Sequence, residues 1–196
     1  MPPLPDLATL SLADVARLVA ERRLPPVEQW HPTHCGDSDM RIAADGTWYH
    51  QGSPIGRPAM IRLFSTILRR EPDGGYVLVT PVEKLDIAVE DAPFLAVEMT
   101  SEGRGPQRRL AFRLNTGDLV VADADHPLSL RGTAEEPRPY LHVRGAPTNG
   151  LDALVVRSVF YELAQLALDE QPADAAPGDP VGLWSAGTFF PLERPE

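Results

Sequence analysis

Several groups of residues have types and spacings that could do chemistry. Asp123-Ala-Asp125-His126 sets two carboxylates at alternate positions beside an imidazole, a pattern able to hold a divalent ion or act as a general base. Its ordinary reading is an acidic turn after a strand. His31-Pro-Thr-His34-Cys35, with Asp37 and Asp39 just beyond, gathers metal-ligand types in one stretch, but the spacing matches no standard zinc pattern. Arg62 and Arg157 sit within apolar, helix-like stretches, where an arginine needs a carboxylate partner or an anionic ligand. Structural pairing with Glu83, Asp86 or Glu162 competes with the ligand reading. Pairing is the ordinary reading, and the ligand reading gains some weight from the donors around it: Arg57 at a helix start, Lys84, Asn115 and Arg144. In Thr80-Pro-Val-Glu-Lys84 the neighbouring Glu83 would raise the lysine pKa, which disfavours a catalytic amine. Tyr140, Trp48, Tyr49 and Phe112 read as strand aromatics of the core.

The composition narrows the class. The 196 residues carry 18 Lys+Arg against 28 Asp+Glu, a net charge of −10, which argues against a general binder of nucleic-acid backbones. Seventeen of the basic residues are arginine and only Lys84 is lysine, so the cations are planar forks suited to carboxylate or phosphate. The single cysteine, Cys35, rules out an internal disulfide and a cysteine zinc cage. No signal peptide, membrane span, Walker loop or nucleophile elbow is legible, and Gly103 and Gly105 form only a G-x-G fragment. A cytoplasmic protein without cofactor is the expectation.

These residues must be positioned by an α+β chain. Ser11 to Arg23 predicts an amphipathic N-terminal helix with Leu12, Val15, Ala16 and Val19 on one face, stopped at Pro25-Pro26. Val27 to Ser38 reads as a loop, and Met40 to His50 as a hairpin around Asp45-Gly46. Pro58 opens a helix whose apolar face runs to Leu68. Strands are expected at Tyr76–Thr80, Lys84–Val89 and Phe94–Thr100, then a hairpin over Arg109–Ala122 turning at Asn115–Asp118. Arg131 to Pro139 reads as a loop, Tyr140–Val143 as a short strand, and Asn149-Gly150 as the start of a helix using Leu151, Leu154, Val155, Phe160, Leu163 and Leu166. Met60-Ile61-Arg62 and Val155-Val156-Arg157 hint at a duplicated β-plus-helix unit. The expected division is an N-terminal helix over 1–26, a first lobe over 27–103 and a second over 104–170, with the boundary in the polar run Ser101–Gln107. A Pro/Ala-rich linker and an aromatic tail over 171–196 complete it, with Trp184, Phe189 and Phe190 docking on the body or on a second subunit.

Ordered segments from about 30 to 165 resemble domain-of-unknown-function family 1285. They include Cys-Gly-Asp-Ser-Asp-Met-Arg-Ile (35–42), Asp-Gly-Thr-Trp-Tyr (45–49) and Gly-Ser-Pro-Ile-Gly-Arg (52–57). Arg-Leu-Phe-Ser-Thr-Ile-Leu-Arg-Arg-Glu (62–71), Leu-Val-Thr-Pro-Val-Glu-Lys (78–84), Asp-Ala-Pro-Phe (91–94), Asn-Thr-Gly-Asp (115–118) and His-Pro-Leu (126–128) continue the match. Pro-Tyr-Leu-His-Val-Arg (139–144) and Arg-Ser-Val-Phe-Tyr-Glu-Leu (157–163) close it. The resemblance implies two similar antiparallel β-plus-helix lobes, the second loosely like a pleckstrin-homology fold. It also implies a ligand, nucleotide-like in the family's description, at the cleft between them, in a signalling rather than catalytic role.

The leading expectation is therefore a non-enzymatic cytoplasmic module binding a small anionic ligand through Arg57, Arg62, Thr80, Lys84, Asn115, Arg144 and Arg157. Alternatives are a metal-assisted hydrolase using Asp123, Asp125 and His126, and a protein–protein interaction module, with a homo-oligomer as one form. Neither a nucleic-acid polymer nor a membrane is expected as a partner.

Overall fold

The structure, a computed structural model, describes residues 24–133, 136–171 and 180–192. The expected N-terminal helix lies outside these residues. The first lobe contains β1 (His34–Ile42), β2 (Trp48–His50), β3 (Ser53–Pro54), α1 (Pro58–Thr66), β4 (Leu68–Arg70), β5 (Tyr76–Val79) and β6 (Glu83–Val89). The second contains β7 (Phe94–Glu102), β8 (Arg109–Leu114), β9 (Leu119–Val121), β10 (Leu128–Gly132), β11 (Pro137–Arg144), β12 (Leu151–Val155) and α2 (Arg157–Glu170). A hairpin of β13 (Gly182–Ser185) and β14 (Thr188–Pro191) follows.

The two six-stranded sheets share one plan. The first runs β3-β2-β1-β6-β5-β4 and the second β9-β8-β7-β12-β11-β10, so in each the first and last strands lie side by side at the centre. That central pair is parallel in both, β1 with β6 and β7 with β12, and every other pair is antiparallel. The sheets are therefore mixed rather than purely antiparallel. The helices break the repeat. In the first lobe α1 joins the third strand to the fourth, while in the second the corresponding link is a short turn at Asp123–Pro127 and α2 comes after the last strand. The echo between Arg62 and Arg157 thus aligns helices that are not equivalent, and the duplication resides in the strands.

Four further expectations change. Leu151–Val155 is strand β12, and α2 begins only at Arg157. Leu151, Leu154 and Val155 fit a helical face by spacing, but a short apolar run is also what a strand buried on both sides looks like. Residues from His34 onward belong to β1 rather than to a loop, and Leu128–Gly132 pairs with β11 across what reads as a loop. Finally, β7 pairs with β8 and β12, so the change of sheet falls between Val89 and Phe94, ahead of Ser101–Gln107.

One core spans the lobes. Ile42, Trp48 and Leu68 from the first meet Phe94, Phe112, Leu114, Leu141 and Leu163 from the second, and Leu183 and Phe190 of the hairpin join them. The aromatic C-terminal segment therefore docks on the body of its own chain. Ser185 fastens it: its buried hydroxyl accepts the Leu110 amide at 2.9 Å and donates to the Ala122 carbonyl at 2.6 Å. Its turn places both Ala186 and Gly187 at positive φ, 49° and 81°, as a two-residue hairpin loop with right-handed twist requires.

The buried arginines are structural clamps. Arg69 is 7% exposed and donates to the carbonyls of Val27 (2.7 Å) and Trp30 (2.9 Å) and to Glu71 (2.7 Å). Arg108, 3% exposed, ties Ser101 to Glu170 at the end of α2, and Arg113 pairs with Glu98 at 2.7 Å.

Candidate functional site

The second lobe carries the candidate site at the edge formed by β10, β11 and the Asp123–Pro127 turn. In that turn Asp123 Oδ1 accepts the amides of Asp125 (2.9 Å) and His126 (2.8 Å) and the His126 ring Nδ1 (3.1 Å). A short carboxylate bonding the backbone two and three residues ahead is what closes such a turn. It also holds the ring through Nδ1. Asp125 is exposed.

On the neighbouring strands His142 and Asp152 are register partners of β11 and β12. His142 Nδ1 lies 3.1 Å from Asp152 Oδ1, and the other oxygen of Asp152 accepts Arg131 from β10. The second ring nitrogen, Nε2, is 3.2 Å from the Gly145 carbonyl. A neutral ring can donate to only one of these two acceptors. Ring placement depends on Gly150, where a Cβ would come within 2.0 Å of His142 Cε1 and 2.8 Å of two carbonyl oxygens. Asp152 is only 8% exposed, so the pairing with Arg131 and His142 is what allows its charge to be there. Arg131 also lies over the Tyr140 ring at 4.3 Å. Tyr140 donates to Asp91 at 2.7 Å, and burial, then that bond and the Asp91 charge, push its pKa up to about 12.

His126, Arg131, His142 and Asp152, with Asp125 and Arg144, line a cleft of about 550 Å³. A second cavity, about 230 Å³, adjoins it and shares His126 and Arg144. Arg144 is also the bolt between lobes: its guanidinium donates to the Ser65 carbonyl at the end of α1, lies 3.4 Å from the Leu68 carbonyl, and sits 5.5 Å from the Phe94 ring centre. Asn149 reaches the Arg70 carbonyl at 3.5 Å from the same side.

Of the seven candidate ligand residues, only Arg144 borders the cleft. Arg57 is exposed at the start of α1, roughly 12 Å along the helix axis from Ser65. Arg62 is half-buried within α1, and its carbonyl accepts the Ser65 hydroxyl. Arg157 is exposed at the first position of α2 rather than turned inward. Thr80 closes its own turn, accepting the amide of Glu83 at 3.2 Å. Lys84 pairs not with Glu83 but with Glu71, at 3.2 Å, and that bond and charge hold its pKa above the ordinary lysine value. Burial opposes ionisation of Glu71, but Arg69 and Lys84 outweigh it and lower its pKa. Asn115 is a brace: it exchanges bonds with Leu95, at 3.1 Å through its side chain and 2.8 Å through its amide.

The residues that do converge, Arg131, His142 and Asp152, lay in segments read as loop, strand and helix. The signal that could have found them is the apolar alternation of Leu128 and Leu130 before Arg131, which marks β10. His34, Cys35 and Asp37 are spread along an exposed strand, with Asp37 capping the Asp39 amide at 2.8 Å. Among the described residues no group of three or more His, Cys, Asp or Glu side chains is placed to hold a metal ion. Nor is a nucleophile assembled around His142: its Nε2 faces the Gly145 carbonyl and not a hydroxyl.

Fold and site together define a duplicated two-lobed protein of mixed sheets, with a polar cleft on the second lobe beside the junction. The chain belongs to the DUF1285 family. Residues 25–92 match the model described as Domain of unknown function (DUF1285), N-terminal domain, and residues 93–192 match Protein of unknown function (DUF1285), C-terminal domain. It is similar to a DUF1285 family protein from Silicibacter pomeroyi DSS-3, at 45% identity and TM-score 0.76 over 93% of this chain and 94% of that one. A DUF1285 family protein from Shewanella baltica OS155 is 29% identical over 64% of this chain and 90% of that one, with TM-score 0.49. No curated protein matches the chain. Among the described residues no helix is long and apolar enough to cross a membrane.

Proposed function

We propose that the protein is a non-enzymatic ligand-binding module whose second-lobe cleft takes a small anionic ligand, with phosphate esters, nucleotides among them, as the ligand class. The observation that carries this reading is the convergence of Arg131, Arg144, His126 and His142 on one 550 Å³ cleft. Guanidinium groups meet phosphate oxygens in pairs, and imidazoles add donors of adjustable charge. The pleckstrin-homology likeness that the resemblance implies for the second lobe belongs to the same reading. Arg144 makes the site suited to signalling, because the group that would meet the ligand also grips the first lobe.

The test is calorimetric titration of the full chain with inorganic phosphate, AMP and ATP, beside thermal unfolding. At least one should bind and raise the unfolding temperature. Arg131→Gln, at a half-exposed position, should weaken that binding about tenfold or more, the worth of a charge-assisted bond. Silence from all three ligands, or wild-type affinity in Arg131→Gln, would overturn the assignment.

A further inference from the structure

The smaller cavity differs from the cleft in its chemistry. Leu24, Leu119, Val120, Val121 and Val143 give it a largely apolar lining, Asp118 and Asp123 also line it, and His126 and Arg144 are the residues it shares with the cleft. Leu119–Val121 is the edge strand β9 and Val143 lies on β11, so the cavity opens between two strands far apart in the sheet order. What separates it from the cleft is the Asp123–Pro127 turn, the place where the first lobe inserts a whole helix. His126 and Arg144 border both spaces.

We infer that the ligand is an amphipathic anion: a charged head held at Arg144 and His126 in the cleft, and an apolar body in the Leu119–Val121–Val143 cavity. This rests on the anionic-ligand reading above and specifies the part of the ligand that reading leaves open. Two carboxylates also line the cavity, Asp118 and Asp123, and both are hydrogen-bonded within the chain. Asp118 accepts the Thr116 hydroxyl at 2.9 Å, and Asp123 holds the His126 turn. Size sets the body. An apolar cavity of about 150 Å³ takes a benzene ring, so 230 Å³ has room for a chain of roughly six to eight carbons or one substituted ring.

The experiment is titration of the full chain with inorganic phosphate and with methyl, butyl, hexyl and octyl phosphate. Each added methylene should tighten binding about fourfold until the cavity is filled, and then the gain should stop. Leu119→Trp and, separately, Val121→Trp should flatten the series while leaving inorganic phosphate binding in place. Both positions are only half-buried, so the larger ring can be accommodated without rebuilding the core. A flat series in the wild type alongside measurable phosphate binding overturns the amphipathic assignment and leaves the anion site standing. An undiminished gain in both variants also overturns it, because the chain would then lie elsewhere. Absence of binding by every probe removes the anion site and this inference together.

Discussion

Replacing Ser185 by alanine probes how the C-terminal hairpin is held. The Ser185 hydroxyl is fully buried and joins three segments, taking the Leu110 amide of β8 at 2.9 Å and giving to the Ala122 carbonyl beyond β9 at 2.6 Å. The bond to Ala122 contributes about 1 kcal/mol net, and stranding the buried Leu110 amide costs about 1–3 kcal/mol. Ser185→Ala should therefore cost roughly 2–4 kcal/mol, a large share of the ~5–15 kcal/mol that holds a typical domain. For a chain of this length that lowers the unfolding midpoint by roughly 5–15 °C. Urea unfolding followed by tryptophan fluorescence measures it, with Thr188→Ala across the same hairpin as the control expected to stay within about 0.5 kcal/mol. A loss below about 0.5 kcal/mol in Ser185→Ala, with an unchanged slope in urea, would refute the view that this hydroxyl is the hairpin's fastening.

Two further outcomes follow from the cleft and its surroundings. Tyr140 is more easily kept neutral in the folded chain, its pKa raised from 10.0 to about 12, so its contribution is complete below pH 10 and is lost as pH rises towards 12, about 2–3 kcal/mol in all. Unfolding titrations between pH 9 and 12 should show a steeper fall in the wild type than in Tyr140→Phe, where Tyr76, its pKa also raised by burial, still contributes; equal slopes would contradict it. Gly150→Ala would bring a methyl group to 2.0 Å from His142 and 2.8 Å from the Ala146 and Arg144 carbonyls, and should cost about 1–3 kcal/mol or more through overpacking. A change in the His142 ring signals in the NMR spectrum should accompany it, and an unaltered spectrum with wild-type stability would speak against the packing described.

The elements legible in the sequence are those whose signals are local. The β1–β2 hairpin follows from Asp45-Gly46, α1 from Pro58 at its first position, and the β8–β9 hairpin from Asn115–Asp118. What failed was local ambiguity or tertiary choice. Leu68 continues the apolar face of α1 by spacing, yet it begins β4 because that strand pairs with β5. The inward arginines are Arg69, Arg108 and Arg113, and nothing nearby in sequence separates them from Arg62 or Arg157. Arg69 has Glu71 two residues away, but its other partners, the Val27 and Trp30 carbonyls, and Glu170 for Arg108, are distant along the chain. The cleft was illegible for the same reason, since β10, β11 and β12 bring Arg131, His142 and Asp152 together only once the sheet exists.

The central parallel pairs bear on how the protein acquires this shape. In each lobe the first strand made is the last to gain its inner neighbour: His34 pairs with Glu83 and Phe94 with Ala153. As the chain leaves the ribosome, β1 carries an unsatisfied edge until nearly the whole first lobe has emerged, and β7 does the same for the second. Pairings this distant in sequence make for slow folding and expose strand edges to neighbouring chains. The hairpins on either side give each lobe local structure to build on during that wait. A nascent chain halted shortly before Glu83 would hold the edge of β1 open, and that interval is when a chaperone, or a second nascent copy, has most to bind.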